Sequence, residues 1–269
     1  MDSIIEKKSK AARIYSLDES VFNNISEESA YWIGFLMADG CIMSSGNSYI
    51  VELSLNIKDK KHLEKFQKFL KTNRPMTYHK NNIARISINS LKIGNKLISH
   101  GIVPRKSKTE EVIGLQNNKH FWRGMIDGDG SIIINRTYPR IDLVGSHKIL
   151  SQYRKFIKKI IYKNKCSIRK HETIYRVTVE GKGAFKLIDY FYKNNKVSLI
   201  RKNKIANYIV DNIESMMTGH KKGEEHPKSK LLNVERKKIK KLRNKGKSHA
   251  ELADKFGVSK ALIYRIIDG

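Results

Sequence analysis

Residues Phe121–Ser131 read FWRGMIDGDGS, and residues Tyr31–Cys41 read YWIGFLMADGC. Aligned, both follow the pattern aromatic-Trp-x-Gly-x-x-x-small-Asp-Gly, and the copies begin 90 residues apart, at positions 31 and 121. In each copy, a run of helix-forming residues ends at an acid followed by glycine, which is a common signal for the end of a helix. The pattern therefore predicts two matching helices, each ending at Asp-Gly.

Each predicted helix carries a glycine in its middle, Gly34 in the first copy and Gly124 in the second. A mid-helix glycine costs about 0.5–1 kcal/mol relative to alanine, so its presence in both copies needs a reason. Another small residue follows four positions later on the same face, and small residues let two helices approach closely. If the helices pack through these faces, Asp39 and Asp129 lie side by side. Two close carboxylates, with no lysine in either motif to neutralise them, favour a divalent metal ion.

A single Asp-Gly after an apolar run is usually only a turn, but two copies in register favour a function. Both segments resemble the LAGLIDADG motif of homing endonucleases over all nine positions, as WIGFLMADG at Trp32–Gly40 and WRGMIDGDG at Trp122–Gly130. Neither copy spells the motif name, and Met37 stands at the sixth position, where the second copy has Asp127. The family binds metal through the eighth-position acid, and both copies keep that acid.

The resemblance implies that Asp39 and Asp129, together with Gly40 and Gly130, hold Mg²⁺. It implies two or three such ions, with Mn²⁺ able to take their place. It also implies an α+β fold in which two pseudo-symmetric αββαββα units form a DNA-binding saddle, with their sheets in the major groove. A small all-α domain would follow these two units.

The alternation of apolar and polar residues agrees with this order of elements. In the first half, Ser48–Lys58 and Ile83–Asn89 alternate as half-exposed antiparallel strands, while Asp59–Leu70 has apolar residues at helical spacing. The same order restarts at Phe121–Asp129 and closes with a helix at Ala184–Tyr192, as in an internal duplication of about 95 residues. We expect an N-terminal arm at 1–20 that orders on DNA, a first unit at 21–115, a second unit at 116–213, a linker at 214–230 and a helical DNA-binding domain at 231–269.

The last domain is placed by a second resemblance. The segment ELADKFGVSKALIYRII (Glu251–Ile267) is similar to the helix-turn-helix family, with Gly257 in the turn. Ser248 and Glu251 have the spacing of a capping box at the start of its first helix. The alternative is a small helical bundle used for protein contacts.

Candidate DNA contacts follow from the polar faces of the predicted strands and of the last helix. In the first half they are Glu52, Ser54, Asn56, Lys58, Arg85, Ser87 and Asn89. In the second half they are Arg136, Arg140, Asp142, Arg176 and Thr178. In the last helix they are Lys260, Tyr264 and Arg265.

Two lysines occupy matching places after the two halves. Lys106 follows the last predicted helix of the first half, and Lys202 follows that of the second. In the resembled family a lysine at such a place points into the cleavage site, where it polarises the attacked phosphate or orients the attacking water. The alternative for either residue is a solvated or phosphate-contacting charge.

The composition favours a nucleic-acid partner. Lys and Arg number 54 against 26 acids, a formal charge of +28 over 269 residues, which is the electrostatic footprint of phosphate binding. The two cysteines cannot form a cysteine-rich zinc site, and no apolar run approaches the ~20 residues of a membrane helix. We expect a monomer in the cytoplasm of a prokaryotic or phage-infected cell, with an organelle as the alternative location and no membrane partner.

These observations predict a single-chain, two-motif homing endonuclease that makes Mg²⁺-dependent double-strand breaks in DNA at a long pseudo-symmetric target. The catalytic candidates are Asp39, Asp129, Lys106 and Lys202. Two alternatives remain open at this point. One is a maturase that binds intron RNA and assists splicing, and the other is a non-cleaving transcriptional regulator that joins a LAGLIDADG-like domain to a helix-turn-helix.

Overall fold

A computed structural model of the chain describes residues 14–104, 111–135, 138–161, 166–171, 173–213, 216 and 231–268. The chain divides into two compact units between Ile213 and Glu214. The large unit holds both LAGLIDADG-like motifs. None of the helices in the described ranges is long and apolar enough to cross a membrane.

The first half of the large unit has the predicted order of elements. They are α1 (Glu27–Asp39), β1 (Gly40–Ser45), β2 (Ser48–Asn56), α2 (Lys60–Phe69), β3 (Thr77–His79), β4 (Ile83–Asn89) and α3 (Leu91–Ser99). The four strands form one antiparallel sheet in the order β1-β2-β4-β3. Alternate residues of β2 and β4 are buried under α2 and α3, which leaves the other face of the sheet polar.

The second half repeats this order. Its elements are α4 (Lys119–Asp129), β5 (Gly130–Asn135), β6 (Tyr138–Gly145), α5 (His147–Lys158), β7 (Ile168–His171), β8 (Ile174–Glu180) and α6 (Gly181–Tyr192). Its antiparallel sheet has the matching order β5-β6-β8-β7. The predicted α+β fold of two αββαββα units is therefore confirmed.

A further helix, α7 (Ile200–Asp211), follows α6 and was not predicted from the sequence. Its N-cap residue, Leu199, has no side chain that can cap the helix, so the usual start signal is missing. By contrast, Ser26, Asn118 and Ser146 cap α1, α4 and α5 by accepting hydrogen bonds from their first backbone N–H groups, although α4 begins at Lys119, two residues before the predicted start at Phe121.

The predicted end of the second strand needs revision. The predicted strand Ser48–Lys58 is too long, because β2 ends at Asn56 and Ile57–Asp59 forms a single 3-10 turn. The side chain of Asn56 accepts a hydrogen bond from the backbone N–H of Lys58, which turns Lys58 off the strand. Residues 14–20 of the predicted arm contact the first half, since the N–H of Asp18 donates to the carbonyl of Leu70 at 3.0 Å. Residues 1–13 lie outside the described residues.

The helices α1 and α4 meet through their glycines. A Cβ atom added at Gly34 would lie 2.0 Å from the carbonyl oxygen of Phe121, and one added at Gly124 would lie 2.1 Å from that of Tyr31. The backbones of the two helices are thus in direct contact. Helices whose axes lie the usual 8–10 Å apart are separated by side chains and do not touch in this way. A mid-helix glycine in each motif is required by this contact.

Residues 231–268 of the small C-terminal unit form three helices, α8 (Asn233–Asn244), α9 (His249–Lys255) and α10 (Lys260–Asp268). They share a core that includes Ile239, Leu252 and Ile263. The predicted capping box of α9 is present, and Gly257 turns the chain towards α10 at a φ of 61°. Residues 214–215 and 217–230 of the predicted linker lie outside the described residues.

We expect Gly34→Ala or Gly124→Ala to lower the free energy of unfolding by about 3 kcal/mol or more, because the added methyl group meets a backbone carbonyl that cannot move away. Thermal or urea unfolding measures this change. Gly46→Asn is the control, since Gly46 has a φ of 55° with open space around it and asparagine tolerates that conformation. A Gly34 variant as stable as the Gly46 control would show that the two helices do not touch there.

Candidate active site

The close contact of α1 and α4 brings the two motif ends together. Asp39 is the last residue of α1 and is exposed, and Asp129 is the last residue of α4 and is half-buried. A Cβ atom added at Gly128, the residue before Asp129, would lie 3.4 Å from Oδ2 of Asp39. The two carboxylates therefore extend from neighbouring helix ends at the same edge of the unit.

Lys202 reaches this edge from the first turn of α7. Its Nζ lies within hydrogen-bonding distance of four backbone carbonyl oxygens where α4 ends and β5 begins, at 2.7 Å from Ile126, 2.6 Å from Asp127, 3.3 Å from Gly128 and 2.6 Å from Gly130, so that its three N–H groups are shared among them. The last carbonyls of a helix have no partner within it and carry partial negative charge, so an ammonium group is stabilised there. With the residue only 3% exposed, Lys202 is not a solvated surface charge.

Burial lowers the pKa of Lys202 to about 8 from its usual 10.5. The carboxylates of Asp127, Asp39 and Asp129 act in the opposite direction and favour the ammonium form. A lysine with this pKa carries its proton at neutral pH. Its counterpart in the first half, Lys106, lies in segment 105–110, outside the described residues.

Asp127, at the sixth position of the second motif, is buried. Its Oδ2 accepts hydrogen bonds from the hydroxyl of Tyr31 at 2.7 Å and from the backbone N–H of Leu199 at 2.7 Å. Its Oδ1 accepts one from the hydroxyl of Tyr192 at 2.6 Å. Burial raises the pKa of Asp127, while these hydrogen bonds and the charge of Lys202 partly offset the rise. This carboxylate is saturated by protein donors and is not a metal ligand.

His62 extends the same network into the first half. Its Nε2 lies 2.9 Å from the hydroxyl oxygen of Tyr31, whose only proton is donated to Asp127. His62 therefore donates from Nε2, and its buried Nδ1 has no hydrogen-bond partner within the described parts of the chain. Burial, together with the nearby cations Lys65, Lys202 and Arg201, lowers the pKa of His62 to about 3. The ring is neutral at every working pH.

The donor set fits Mg²⁺. Within the described ranges, no group of three or more His, Cys, Asp or Glu side chains is placed to enclose an ion. Mg²⁺ does not need such a cage, because it is commonly held by one or two carboxylates together with phosphate oxygens and water. Asp39 and Asp129 provide two carboxylates at an accessible edge. The carbonyl oxygen of Gly130 also lies there, although it already accepts a hydrogen bond from Lys202.

The outer faces of the two sheets carry most of the predicted DNA contacts. Glu52 lies opposite Ser87 and Ser54 opposite Arg85 on neighbouring strands, so the side chains of each pair share a face. Arg85 Nε donates to Ser54 Oγ at 3.0 Å and lies 3.2 Å from Oε1 of Glu52. Further members of these polar faces are Asn56 and Asn89 in the first sheet and Arg176 in the second.

Asp142 contacts protein groups on the second sheet. Its carboxylate accepts hydrogen bonds from Thr178 at 2.5 Å and Ser131 at 3.2 Å, and its Oδ2 lies 2.8 Å from Nε of Arg140. At 6% exposure it is better placed to orient Arg140 and Thr178 than to contact DNA itself. Arg136 falls in segment 136–137, outside the described residues.

In the C-terminal unit, the predicted contact residues Lys260, Tyr264 and Arg265 are exposed on α10. The ring of Tyr264 stacks on that of His249, with centroids 4.0 Å apart. One face of the tyrosine ring is therefore covered, and its edge and hydroxyl remain accessible.

Sequence reasoning missed Arg123, Tyr31 and Tyr192 as parts of this site. Arg123 and Asp127 are charged residues four positions apart in the otherwise uncharged stretch Phe121–Asp127 of α4, and both are buried. Because buried charges need partners, this spacing was the available signal for a polar network beneath the motif.

No family model matches the chain, and no curated protein matches it. Solved structures do match. The LAGLIDADG meganuclease I-AabMI, solved bound to uncleaved DNA, is 13% identical with a TM-score of 0.50, covering 71% of this chain and 92% of that one. This chain has the LAGLIDADG fold.

Two other solved structures also match the chain. The I-LtrWI homing endonuclease, bound to its target DNA, is 14% identical and covers 74% of this chain and 92% of that one, with a TM-score of 0.49. Full-length DUF199/WhiA from Thermatoga maritima is 17% identical and covers 93% of each chain, with a TM-score of 0.42.

The depressed pKa of His62 predicts an acid dependence of stability. Between pH 6.5 and about 3, the unfolded chain binds a proton at His62 that the folded chain does not, so the free energy of unfolding falls as the pH falls through this range. His62→Phe should remove this component, which amounts to at most about 1.4 kcal/mol per pH unit. Urea unfolding of both proteins from pH 7 to pH 4 tests it. Parallel curves for the two would contradict a buried neutral His62.

Proposed function

We propose that this chain is a site-specific DNA endonuclease that makes metal-dependent double-strand breaks at a long, pseudo-symmetric target. The observation that carries the proposal is the pair of carboxylates, Asp39 and Asp129, at adjoining ends of the paired motif helices. A buried lysine lies beside them, and the sheets of the two halves present polar faces with basic residues. The excess of 28 positive charges supports a polyanionic partner.

The two polar sheet faces support recognition of a long site. Each face displays side chains that donate and accept hydrogen bonds, as base reading in the major groove requires. Some residues at matching positions differ between the halves. For example, Ser54 of β2 corresponds to Val144 of β6, although each lies opposite an arginine, Arg85 and Arg176 respectively. Different half-sites would therefore face the two halves of the chain, and the target would be only pseudo-symmetric.

Asp39 and Asp129 would hold Mg²⁺ between the two DNA strands. When bound, the ion supplies Lewis-acid stabilisation of the developing oxyanion and lowers the pKa of a coordinated water. The negative charges of Asp39 and Asp129 repel the phosphates of DNA. Without a bound cation, they would therefore oppose DNA binding at that point. Lys202 keeps its ammonium at the end of α4, where it offsets part of this charge and stabilises an anionic phosphorane-like transition state.

The C-terminal unit would add affinity on one flank of the cut. Its α8 exposes Lys237, Lys238, Lys240 and Lys241, and α10 exposes Lys260 and Arg265. Cations on the helices of such a unit neutralise phosphates without specifying sequence, whereas the exposed side chains of α10 are the candidates for base contacts.

Asp39→Asn or Asp129→Asn should abolish double-strand cleavage but leave DNA affinity within about tenfold, because phosphate contacts elsewhere dominate the affinity. Gel shift and cleavage assays in Mg²⁺ use a duplex that the wild-type chain selects from a random-sequence library. Asp211→Asn, an equal charge change at the exposed end of α7, serves as the control and should cut normally. A variant at Asp39 or Asp129 that still linearises the duplex contradicts the assignment, and a wild type that binds without cutting favours the regulator alternative.

A chain truncated after Ile213 should still cut the selected duplex, but more weakly at physiological salt. The slope of log affinity against log salt should become shallower by about 0.9 for every phosphate that the C-terminal unit neutralises in the full chain. Footprinting should show that the full chain protects one additional flank. If the footprints and the salt slopes of the two chains coincide, the C-terminal unit does not contact DNA and is better explained as a protein-interaction domain.

A further inference from the structure

The motif helices differ at two buried positions. In α4, Arg123 and Asp127 lie four residues apart, and each is 1% exposed. The equivalent positions in α1 are occupied by Ile33 and Met37, which are also buried but have no charged group. The pseudo-symmetry of the fold is therefore broken at these positions, and of the two motif helices only α4 has charged side chains there.

The polar network holds the connection between α6 and α7. Asp127 accepts hydrogen bonds from Tyr192, at the end of α6, and from the N–H of Leu199, directly before α7. Arg123 donates from Nε to the carbonyl of Val197 at 3.1 Å and from a terminal nitrogen to that of Phe191 at 3.2 Å. Both ends of the segment 191–199 are thus bonded to one face of α4.

A third charged residue completes the network from α1. Glu27 Oε1 accepts from Arg123 at 2.9 Å and from the backbone N–H of Lys196 at 2.8 Å. Arg123 also lies over the ring of Tyr31, 5.4 Å from its centroid. The buried arginine is therefore paired with a carboxylate and hydrogen-bonded to carbonyls, as a buried charge requires.

The segment so held leads directly into α7. Leu199 has no side-chain cap to offer, and its N–H is bonded to Asp127 instead. Lys202 follows in the first turn of α7, with its Nζ at the carbonyls that end α4. A shift of the connection would move the start of α7, and with it the ammonium group beside the two carboxylates.

We propose that Arg123 and Asp127 are positioning residues that hold Lys202 at the end of α4, and that they make cleavage of the two DNA strands unequally dependent on this network. The inference rests on the proposed endonuclease function. Because each half has its own candidate lysine, a displacement confined to Lys202 slows the cleavage of one DNA strand. The matching positions of α1 have no counterpart to Arg123 and Asp127, since Ile33 and Met37 cannot form these hydrogen bonds.

Hydrogen exchange of the full-length chain tests the clamp without any nuclease activity. In Asp127→Met, which copies the first half, peptides covering 193–204 should exchange about tenfold faster than in the wild type, because a hydrogen bond to a charged group is worth at least that factor. Asp127→Asn keeps an oxygen acceptor and should recover part of the protection. Met37→Leu, at the matching position of α1, is the control and should leave these peptides unchanged.

Strand-resolved cleavage tests the consequence. With each 5′ end of the selected duplex labelled separately, Asp127→Met and Asp127→Asn should slow the cutting of one strand by about tenfold or more, since misplacing a catalytic group by about 1 Å can cost about 100-fold. The other strand should change less than about threefold, so that nicked duplex accumulates, and Met37→Leu should cut both strands alike.

Faster exchange at 193–204 with unequal strand rates supports the proposal. Equal slowing of both strands overturns it in favour of a general structural role, and unchanged exchange shows that Asp127 does not hold the connection. If the wild-type chain never cuts DNA, the proposed function fails, while the exchange measurement still decides whether the clamp exists.

Discussion

The direct backbone contact between α1 and α4 is the constraint on which the rest of the large unit depends. At Gly34 and Gly124 the two helices come so close that one methyl group would collide with a carbonyl oxygen. This contact places the two Asp-Gly ends at one edge, and each sheet starts at the glycine that ends its helix. The separation of the two carboxylates is thus set by backbone packing and not by flexible side chains.

Beneath that contact, the pseudo-symmetric halves use different chemistry. The hydroxyl of Tyr31 on α1 donates to Asp127 on α4. The pseudo-symmetric equivalents of these two residues are Phe121 on α4 and Met37 on α1. One pair is therefore polar and satisfied, and the other is apolar. A buried carboxylate is tolerated here because Tyr31, Tyr192 and Leu199 supply donors, and removing any one would leave an expensive unsatisfied group. A single chain can maintain such an asymmetric pair, because its two halves are not obliged to be identical.

Much of the fold follows from local patterns. The doubled motif predicts α1 and α4, the alternation of Ser54 and Leu55 with their neighbours predicts β2, and the cap at Ser248 predicts α9. The end of β2 was missed because Asn56 folds its side chain back onto the next turn. Similarly, α7 was missed because Leu199 has no side chain that can cap the helix, and the N–H of Leu199 donates instead to Asp127, which lies far away in the chain.

The sequence by itself determined the two acidic helix ends, the small residues that let them meet and the alternating strands, because each depends on spacing within one helix or strand. The resemblance to the LAGLIDADG family, together with its position, also made Lys202 a candidate. Only the tertiary structure decided that Lys202 is buried against the carbonyls of α4, and that Arg123 and Asp127 hold the chain that presents it. The partners in those contacts are about 70 residues apart in the chain, so no local periodicity encodes them. They exist because packing leaves buried charges that must find hydrogen-bonding partners.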